Sequence, residues 1–258
     1  MARIESSCRL EIHGVSMFVN LSDPRFLVLP RELSTGLPRI LKNFLRPGDT
    51  FVDVGSNHGT FAIKAAQLVA PHGLVVAIEP QARLADLIRR SLALQSTRFV
   101  VHNAACGQST GTAPLYVPRA TSGSSGLHPA FSALSRHEIM TVPVARLDDL
   151  LQSERLPGRV FVKIDIEGSE AACLAGAQDF LSEAQPPILM EINERALAAA
   201  GSSTVALAEA LRSAGYDRYL GGREMDLEHA LTAPITDSNI IALHRSRELS
   251  NLRAGCES

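Results

Sequence analysis

The segment FVDVGSNHGT at residues 51–60 places an acid and two glycines between a strand-like run and an apolar, helix-like run. Gly55 permits a sharp turn and lets a ligand approach the backbone, and Gly59 permits close packing where the helix begins. Asp53 offers a hydrogen-bond acceptor to a cationic group, and Asn57 lies between the glycines. We therefore expect this loop to bind a small ligand.

The loop lacks the spacing that binds a dinucleotide. A pyrophosphate site needs G-x-G-x-x-G, in which the middle glycine makes room for phosphate at the helix N-terminus. Here Ser-Asn-His separates Gly55 from Gly59, and His58 stands where phosphate would require unobstructed amides. An acid and two glycines without a phosphate site suit a ligand that carries an amino acid and a nucleoside.

A second acid, Glu79, ends the strand-like run LVVAIEP, and Pro80 stops that run beside the same pocket. A carboxylate at this position can accept hydrogen bonds from both hydroxyls of a ribose. Either acid alone could instead cap the following helix. Together, Asp53 and Glu79 predict a pocket for S-adenosylmethionine, with Asp53 near the methionine part and Glu79 on the ribose.

Three ionisable residues alternate at the end of a later strand, in VKIDIEG. Lys163, Asp165 and Glu167 share one face if the extended geometry persists. Methyl transfer to an alcohol needs the acceptor oxygen held close to the methyl group and its proton removed. We expect Asp165 beside the methyl group and the acceptor, with Glu167 as an orienting partner or alternative base. The structural alternative is an ion pair with Lys163 and a helix cap by Glu167.

The neighbouring strand ends also offer oxygen ligands for a cation. Asp165, Glu191 and Asn193 form an oxygen-rich set of the kind that Mg²⁺ prefers. The set lacks a third close Asp, so we expect no bound metal and keep Mg²⁺ as the less favoured alternative.

Alternating strands and helices must position these residues. From Thr50 onward, short apolar runs alternate with amphipathic segments, which predicts right-handed crossovers and a parallel sheet covered on both faces. The predicted strands span 50–54, 74–79, 98–104, 160–165, 187–192, 216–220 and 239–244, and the predicted helices span 58–70, 82–95, 169–181 and 203–214. We expect an α/β fold with a doubly wound, mostly parallel seven-stranded sheet. An irregular polar stretch precedes the last strand, which we therefore expect to be antiparallel.

The remaining segments surround that sheet. Residues 9–20 alternate around a His-Gly pair and predict a small hairpin, which a helix ending at Pro47-Gly48 follows. Residues 105–145, rich in Gly, Ser, Pro and Thr, form an insertion, and long loops in compact domains are usually functional. Short strands are predicted in it at 113–117 and 139–144. We expect a single domain over 1–258, with an N-terminal hairpin and helix at 1–47, a catalytic core at 48–245 and a frayed tail at 246–258.

The composition excludes several classes of function. The 258 residues are 45% hydrophobic and carry a formal net charge of −2, without a long uncharged apolar run or a basic cluster. These properties argue against a membrane span and against nucleic acid as a partner. The four cysteines are scattered and the N-terminus lacks a signal-peptide core, so we expect a cytoplasmic protein with reduced thiols.

The motifs resemble those of class I S-adenosylmethionine-dependent methyltransferases and, more narrowly, those of the FkbM family, over roughly residues 48–192. FVDVGSNHGTFAIKAA is similar to the family's D-V-G-A-N-x-G block, and VVAIEP to its second-strand E-P. VKIDIEGSEAACLAGA, preceded by LDDL, is similar to its K-I-D-V-E-G-x-E block, whereas Ser56, His58 and Arg146 depart from the family pattern. The resemblance implies a Rossmann-like sheet, S-adenosylmethionine as donor, and O-methylation of a sugar or a polyketide-like secondary metabolite.

The resemblance also implies roles for residues outside these motifs. The loop at 122–126 is similar to the family's small-residue loop, which implies that Ser125 contacts the donor. Asn103 ends the third strand, where class I methyltransferases contact adenine. In the insertion, His128 and His137 are candidate general bases because imidazole titrates near neutrality, although an exposed loop histidine is the commoner case.

Other functions stay open from the sequence. A nucleotide-dependent oxidoreductase is disfavoured by the missing middle glycine, and a degenerate fold kept as a binding module is disfavoured by the intact acids and glycines. We expect a small hydroxylated acceptor, with a phenol, nitrogen or carboxylate acceptor as the alternative. The sequence indicates neither the identity of the acceptor nor the oligomeric state.

Overall fold

The structure, a computed structural model, describes residues 7–34, 37–118, 122–129, 137–221, 223–226 and 238–246. The strands are β1 (Ser7–Ile12), β2 (Val15–Asn20), β3 (Thr50–Val54), β4 (Leu74–Ile78), β5 (Arg98–His102), β6 (Ala105–Cys106), β7 (Gly111–Pro118), β8 (His137–Ala145), β9 (Val160–Ile164), β10 (Ile188–Ile192), β11 (Tyr216–Gly221), β12 (Arg223–Asp226) and β13 (Ser238–His244). The helices are α1 (Leu29–Ser34), α2 (Leu37–Phe44), α3 (Thr60–Val69), α4 (Ala82–Leu92), α5 (Leu147–Leu151), α6 (Glu170–Ala175), α7 (Gln178–Ala184), α8 (Glu194–Ala199) and α9 (Thr204–Ser213), with 3₁₀ turns at Pro24–Leu27 and Ser122–Ser124.

Eight strands of the described chain form the central sheet, in the order β12-β11-β13-β10-β9-β3-β4-β5. The five strands from β10 to β5 run parallel, whereas β13 is antiparallel to both of its neighbours, β10 and β11. The predicted doubly wound, mostly parallel sheet with an antiparallel last strand is confirmed. The short strand β12 pairs with β11 and adds to the seven predicted strands.

The centre of the sheet is covered on both faces. Every residue of β3 is buried, as expected for a central parallel strand. Because side chains alternate along a strand, Val52 and Val54 pack with α5 to α9 on one face. Phe51 packs on the other face, with the N-terminal hairpin and α1 to α4. The loop that follows Val54 therefore begins from a strand held on two sides.

The predicted N-terminal hairpin is present. His13 and Gly14 connect β1 to β2 with φ of 49° and 72°, and two successive positive φ angles form the tight turn that matches strand twist. The hairpin docks on α4, where Ser91 Oγ accepts a hydrogen bond from Phe18 N at 2.8 Å. The chain then continues through the turn at Pro24–Leu27 into α1, which packs against α2 and α3.

The single helix predicted at 169–181 is wrong, because two helices, α6 and α7, occupy this region. A Cβ at Gly176, between them, would lie 2.1 Å from the carbonyl oxygen of Gly107. Asp148 Oδ1 accepts a hydrogen bond from Phe180 N at 2.9 Å and so satisfies an amide in the first turn of α7. Gly107 and Asp148 both lie far from this region in the sequence. The apolar periodicity of residues 169–181 therefore did not indicate the break between α6 and α7. The sequence also did not predict α8.

The insertion at 105–145 contains a three-stranded sheet in the order β6-β8-β7. The two longer strands include the predicted strands at 113–117 and 139–144. A bridge between Tyr116 and Gly126 draws the loop after the second 3₁₀ turn back onto β7. Leu115, Val142 and Val144 belong to a small hydrophobic cluster that is separate from the two clusters packed on the central sheet.

The predicted tail at 246–258 lies outside the described residues apart from Ser246. In the part of the chain that the structure describes, no helix has the length and apolar character needed to cross a bilayer.

Candidate active site

A cleft of about 650 Å³, including the part open to solvent, lies at the carboxyl ends of β3, β4 and β9. The strand order reverses at this point, because the chain places β4 on one side of β3 and the later strand β9 on the other. Such switch points are where open α/β sheets bind ligands. The described lining includes six residues that the sequence predicted, namely Gly55, Asn57, Glu79, Pro80, Ser125 and Asp165.

Gly55 forms the closest approach between two loops of the cleft. Its φ is 79°, and a Cβ there would lie 2.0 Å from the backbone oxygen of Asp165. The same two strand ends are joined by a hydrogen bond from Asp165 N to Val54 O at 3.1 Å. At Gly59, where φ is 76°, a Cβ would lie 2.9 Å from Ile88 Cγ1. Both glycines are therefore required by φ and by contact.

Glu79 fixes the loop that faces the cleft. Its side chain is buried, and its two oxygens accept hydrogen bonds from Asn57 N at 2.8 Å and from Gln81 N at 2.9 Å. Burial raises the pKa of Glu79 to about 7, against those two hydrogen bonds. Each carboxylate oxygen keeps a second lone pair, so the group can still accept a hydrogen bond from a ligand hydroxyl.

The small-residue loop of the insertion closes over the same region. Asn57, whose φ is 50°, donates from Nδ2 to Ser122 O at 3.0 Å. Ser125 Oγ donates to the same carbonyl at 2.8 Å and accepts from Gln81 Nε2 at 3.4 Å. These contacts join the loop after β3, the loop after β4 and the insertion into one wall of the cleft.

Asp53 lies behind the cleft rather than in its described lining. It is fully buried, and neither carboxylate oxygen accepts a hydrogen bond of ordinary geometry from the described residues. The register of the sheet pairs Asp53 with Lys163, whose Nζ lies 3.7 Å from Asp53 Oδ1. Burial raises the pKa of Asp53, and the Lys163 charge opposes this effect. The structure thus brings Asp53 to the lysine behind the described lining, and its place near the methionine part of the donor stays a prediction.

Lys163 connects this buried acid to Asp165 in the lining of the cleft. Its Nζ donates to Asp165 Oδ2 at 3.0 Å. Burial favours the neutral amine, but the charges of Asp165 and Asp53 outweigh burial and raise the pKa of Lys163. The lysine therefore stays charged and holds the Asp165 carboxylate in place. The predicted ion pair of Lys163 is present.

Asp165 forms a carboxyl pair with Glu191 at the next strand end. The Asp165 side chain lines the cleft and is 34% exposed. Burial opposes its ionisation, but the Lys163 charge and the hydrogen bond from Glu191 lower the pKa of Asp165. Burial and the negative charge of Asp165 raise the pKa of Glu191 to about 8. The pKa of Asp165 is lowered and that of Glu191 is raised, so the pair favours a proton on Glu191 and a carboxylate at Asp165, which lines the cleft.

Hydrogen bonds to the side chain of Glu170 fix the conformation of the turn after β9. Glu167 has a φ of 51° and Gly168 a φ of 101°, and Glu170 Oε1 accepts hydrogen bonds from Ile166 N and Gly168 N, each at 3.2 Å. Glu167 is absent from the described lining and lies against Gly126, where a Cβ would be 3.2 Å from Glu167 Cβ. Its proposed role as an orienting partner or base stays a prediction.

Three other predicted residues also stand apart from the described lining. Asn103 is exposed and donates from Nδ2 to Glu79 O at 3.0 Å and to Pro80 O at 2.9 Å, so it fixes the strand end beside the cleft. His137 begins β8 and packs edge-on against the ring of Tyr116. His128 is half-buried beyond the small-residue loop. Their roles in adenine contact and in general-base catalysis stay predictions.

The alternative of a metal site gains no support. Asn193 Oδ1 accepts a hydrogen bond from Ala196 N at 3.1 Å and caps α8. Across the described ranges, no group of three or more His, Cys, Asp or Glu side chains is arranged to hold a metal ion.

Sequence reasoning missed Arg25, which lines the cleft from the N-terminal extension. It also missed the lining residues Gln81 and Ser169, whereas Ser122 and Gly123 lie in the loop at 122–126 that was expected to contact the donor. Gln81 follows the recognised Glu79-Pro80 pair, so proximity to a motif could have indicated it. Arg25 has no such neighbour in the sequence.

Three of the solved structures that are similar to this chain are methyltransferases or contain bound S-adenosylmethionine. A methyltransferase FkbM from Methylobacillus flagellatus KT is 17% identical with a TM-score of 0.45, and the match covers 80% of this chain and 50% of that one. Aeropyrum pernix fibrillarin with natively bound S-adenosyl-L-methionine is 12% identical over 93% and 84% of the two chains, with a TM-score of 0.44. An S-adenosylmethionine-dependent O-methyltransferase from Thermotoga maritima is 12% identical over 93% and 78%, with a TM-score of 0.45. This chain thus spans half the length of the Methylobacillus protein.

Comparison of sequences is more specific. The family model described as the methyltransferase FkbM domain matches residues 53–218, which include the loops of the cleft. No curated protein matches the chain. The match places the domain in the class of methyltransferases that use S-adenosylmethionine as their methyl donor. Within that class, the chain belongs to the FkbM methyltransferase family, as its motifs indicated.

Proposed function

We propose that this domain transfers a methyl group from S-adenosylmethionine to a hydroxyl of a small molecule, such as a sugar or a polyketide-like natural product. One observation carries the proposal. The cleft has Glu79, a hydroxyl-binding acid, at one strand end and the ionised, partly exposed Asp165 two strands away. Neighbouring strands lie about 4.8 Å apart, so the two strand ends are about 10 Å apart, and the ribose and the methionine part of the donor can reach one acid each.

The residues of the cleft fit this donor. Gly55 brings backbone to the cleft surface where any side chain would collide with Asp165 O. Glu79 keeps acceptor capacity for ribose hydroxyls, and Pro80 and Ala104 present apolar surface beside it for a base.

When bound, the donor supplies an electrophilic methyl group on a sulfonium. The chain itself must orient the acceptor hydroxyl and take its proton. Asp165 can accept a hydrogen bond from that hydroxyl, and Lys163 holds the carboxylate in a fixed orientation at 3.0 Å. When the methyl group leaves the sulfur for the acceptor oxygen, Asp165 would take the hydroxyl proton, and Asp165 and Glu191 would then hold one proton each.

The test uses binding and turnover separately. Calorimetric titration with S-adenosylhomocysteine, and with NAD as comparator, should show saturable binding of the former alone. With labelled donor and a panel of hydroxylated acceptors, Asp165→Asn should lower kcat by about a hundredfold or more, while the Kd of S-adenosylhomocysteine changes less than about threefold. Wild-type turnover of nitrogen or carboxylate acceptors alone would contradict O-methylation, and binding of NAD alone would contradict the donor.

A further inference from the structure

Arg25 is the one cationic side chain among the described residues that line the cleft. It comes from the 3₁₀ turn Pro24–Leu27, outside the range matched by the family model. The acids of the same lining, Glu79 and Asp165, both disfavour an anionic ligand. Among the described side chains of the lining, Arg25 therefore supplies the positive charge that a ligand carboxylate can pair with.

Contacts from three segments fix the position of Arg25. Asp23 Oδ1 accepts hydrogen bonds from Arg25 N at 2.9 Å and from Ser122 N at 3.4 Å, and Asp23 Oδ2 lies 3.3 Å from His58 Nε2. The Arg25 guanidinium pairs with Glu32 and lies over Gly123, where a Cβ would be 2.6 Å from Nη1. A larger residue at Gly123 would displace it, so the arginine is held by packing as well as by charge.

The guanidinium keeps hydrogen-bonding capacity after these contacts. Its Nη2 meets Glu32, whereas Nε is buried and has no hydrogen-bond partner among the described residues. The side chain is 33% exposed. A planar guanidinium offers five donors in a fork that matches a carboxylate, so the ion pair with Glu32 uses only part of its capacity.

Arg25 and Asp165 line the same cleft. Burial raises the pKa of Asp165 and Lys163 lowers it, and the Arg25 charge adds to the lowering. If Glu79 holds the ribose, the amino-acid part of the donor extends from there toward Asp165 and Arg25.

We propose that Arg25 binds the α-carboxylate of the methionine part of the donor. This inference rests on the proposed function, because it requires S-adenosylmethionine in the cleft. It assigns a donor-binding role to the N-terminal extension, so the match at 53–218 would not contain the complete donor site.

The test compares two ligands that differ by one group. Calorimetry should measure the Kd of S-adenosylhomocysteine and of its decarboxylated analogue for the wild type, Arg25→Gln and Arg25→Lys. Arg31→Gln, at an exposed position on the adjacent α1, serves as the matched control. The wild type and Arg31→Gln should bind S-adenosylhomocysteine at least about tenfold more tightly than the analogue, as expected for a charge-assisted hydrogen bond.

Arg25→Gln should lose this preference by weakening S-adenosylhomocysteine alone, and Arg25→Lys should keep part of it because the charge remains. Equal weakening of both ligands by Arg25→Gln, or a preference that survives the change, would overturn the inference. A wild type that binds both ligands without preference would overturn it as well. A wild type that binds neither ligand would instead contradict the proposed function. Thermal unfolding of each variant identifies loss of binding that comes from loss of fold.

Discussion

Glu79 should make the stability of the fold depend on pH. Burial raises the pKa of its carboxyl group from 4.5 to about 7 in the folded chain. Each pKa unit corresponds to about 1.4 kcal/mol, so ionised Glu79 lowers the free energy of unfolding by about 3 kcal/mol relative to the protonated group. Because the folded-state pKa lies above the unfolded value, this stability is fully present below pH 4.5 and is lost as the pH rises to about 7.

Glu79→Gln isolates this effect. The amide does not titrate, and its oxygen can replace one of the two acceptors now used by Asn57 N and Gln81 N. Between pH 5 and 8, denaturant unfolding should show the wild type losing about 2 to 3 kcal/mol relative to the variant. Other titrating groups, such as Glu191, cancel in this difference because both proteins contain them.

The control for this experiment is Glu183→Gln, at an exposed position of α7. Its unfolding free energy should follow that of the wild type across the same pH range. The reasoning would be refuted if the wild type and Glu79→Gln gave parallel profiles, because burial of the carboxyl group would then carry no cost.

Two further substitutions test the packing around the cleft and the sheet. Gly55→Ala should lower the free energy of unfolding by about 2 kcal/mol or more and abolish binding of S-adenosylhomocysteine, because φ is 79° and a Cβ would lie 2.0 Å from Asp165 O. Gly201→Ala is its control, with a φ of 70° but nothing within 4 Å, and equal effects at both sites would exclude the contact as the cause. Tyr216→Phe should cost about 1 to 2 kcal/mol in denaturant unfolding, because the buried hydroxyl donates to Pro186 O at 2.9 Å, and an unchanged stability would disprove that contribution.

The central sheet was predictable because its signal is local. A parallel strand covered on both faces must be apolar along its whole length, and β3, β4 and β9 are buried throughout. Gly55 and Glu79 follow such strands directly, so their place at the carboxyl edge followed from the strand assignment. Local pattern thus sufficed for the fold class and for the residues at strand ends.

The rest of the site depends on contacts between distant segments. Ser122 N and Asp23 Oδ1 are brought together across 99 positions of the chain, and no periodicity records that contact. The ion pair of Asp53 with Lys163 depends on the register of β3 with β9, which the sequence of either strand does not specify. The sequence placed Asp165 and Glu191 at neighbouring strand ends, but their hydrogen-bonded pairing likewise depends on the register of β9 with β10.

The Asp23 carboxylate has a consequence for the timing of turnover. One group, with a side chain only 10% exposed, contacts the N-terminal turn, the loop after β3 and the insertion. If one of these segments moves outward to release S-adenosylhomocysteine, the Asp23 carboxylate loses a hydrogen bond. Because the side chain is mostly buried, water compensates poorly for that lost hydrogen bond. We therefore expect the three segments to separate together, so that product escapes in one cooperative step and the lifetime of the bound state depends on a residue remote from the methyl group.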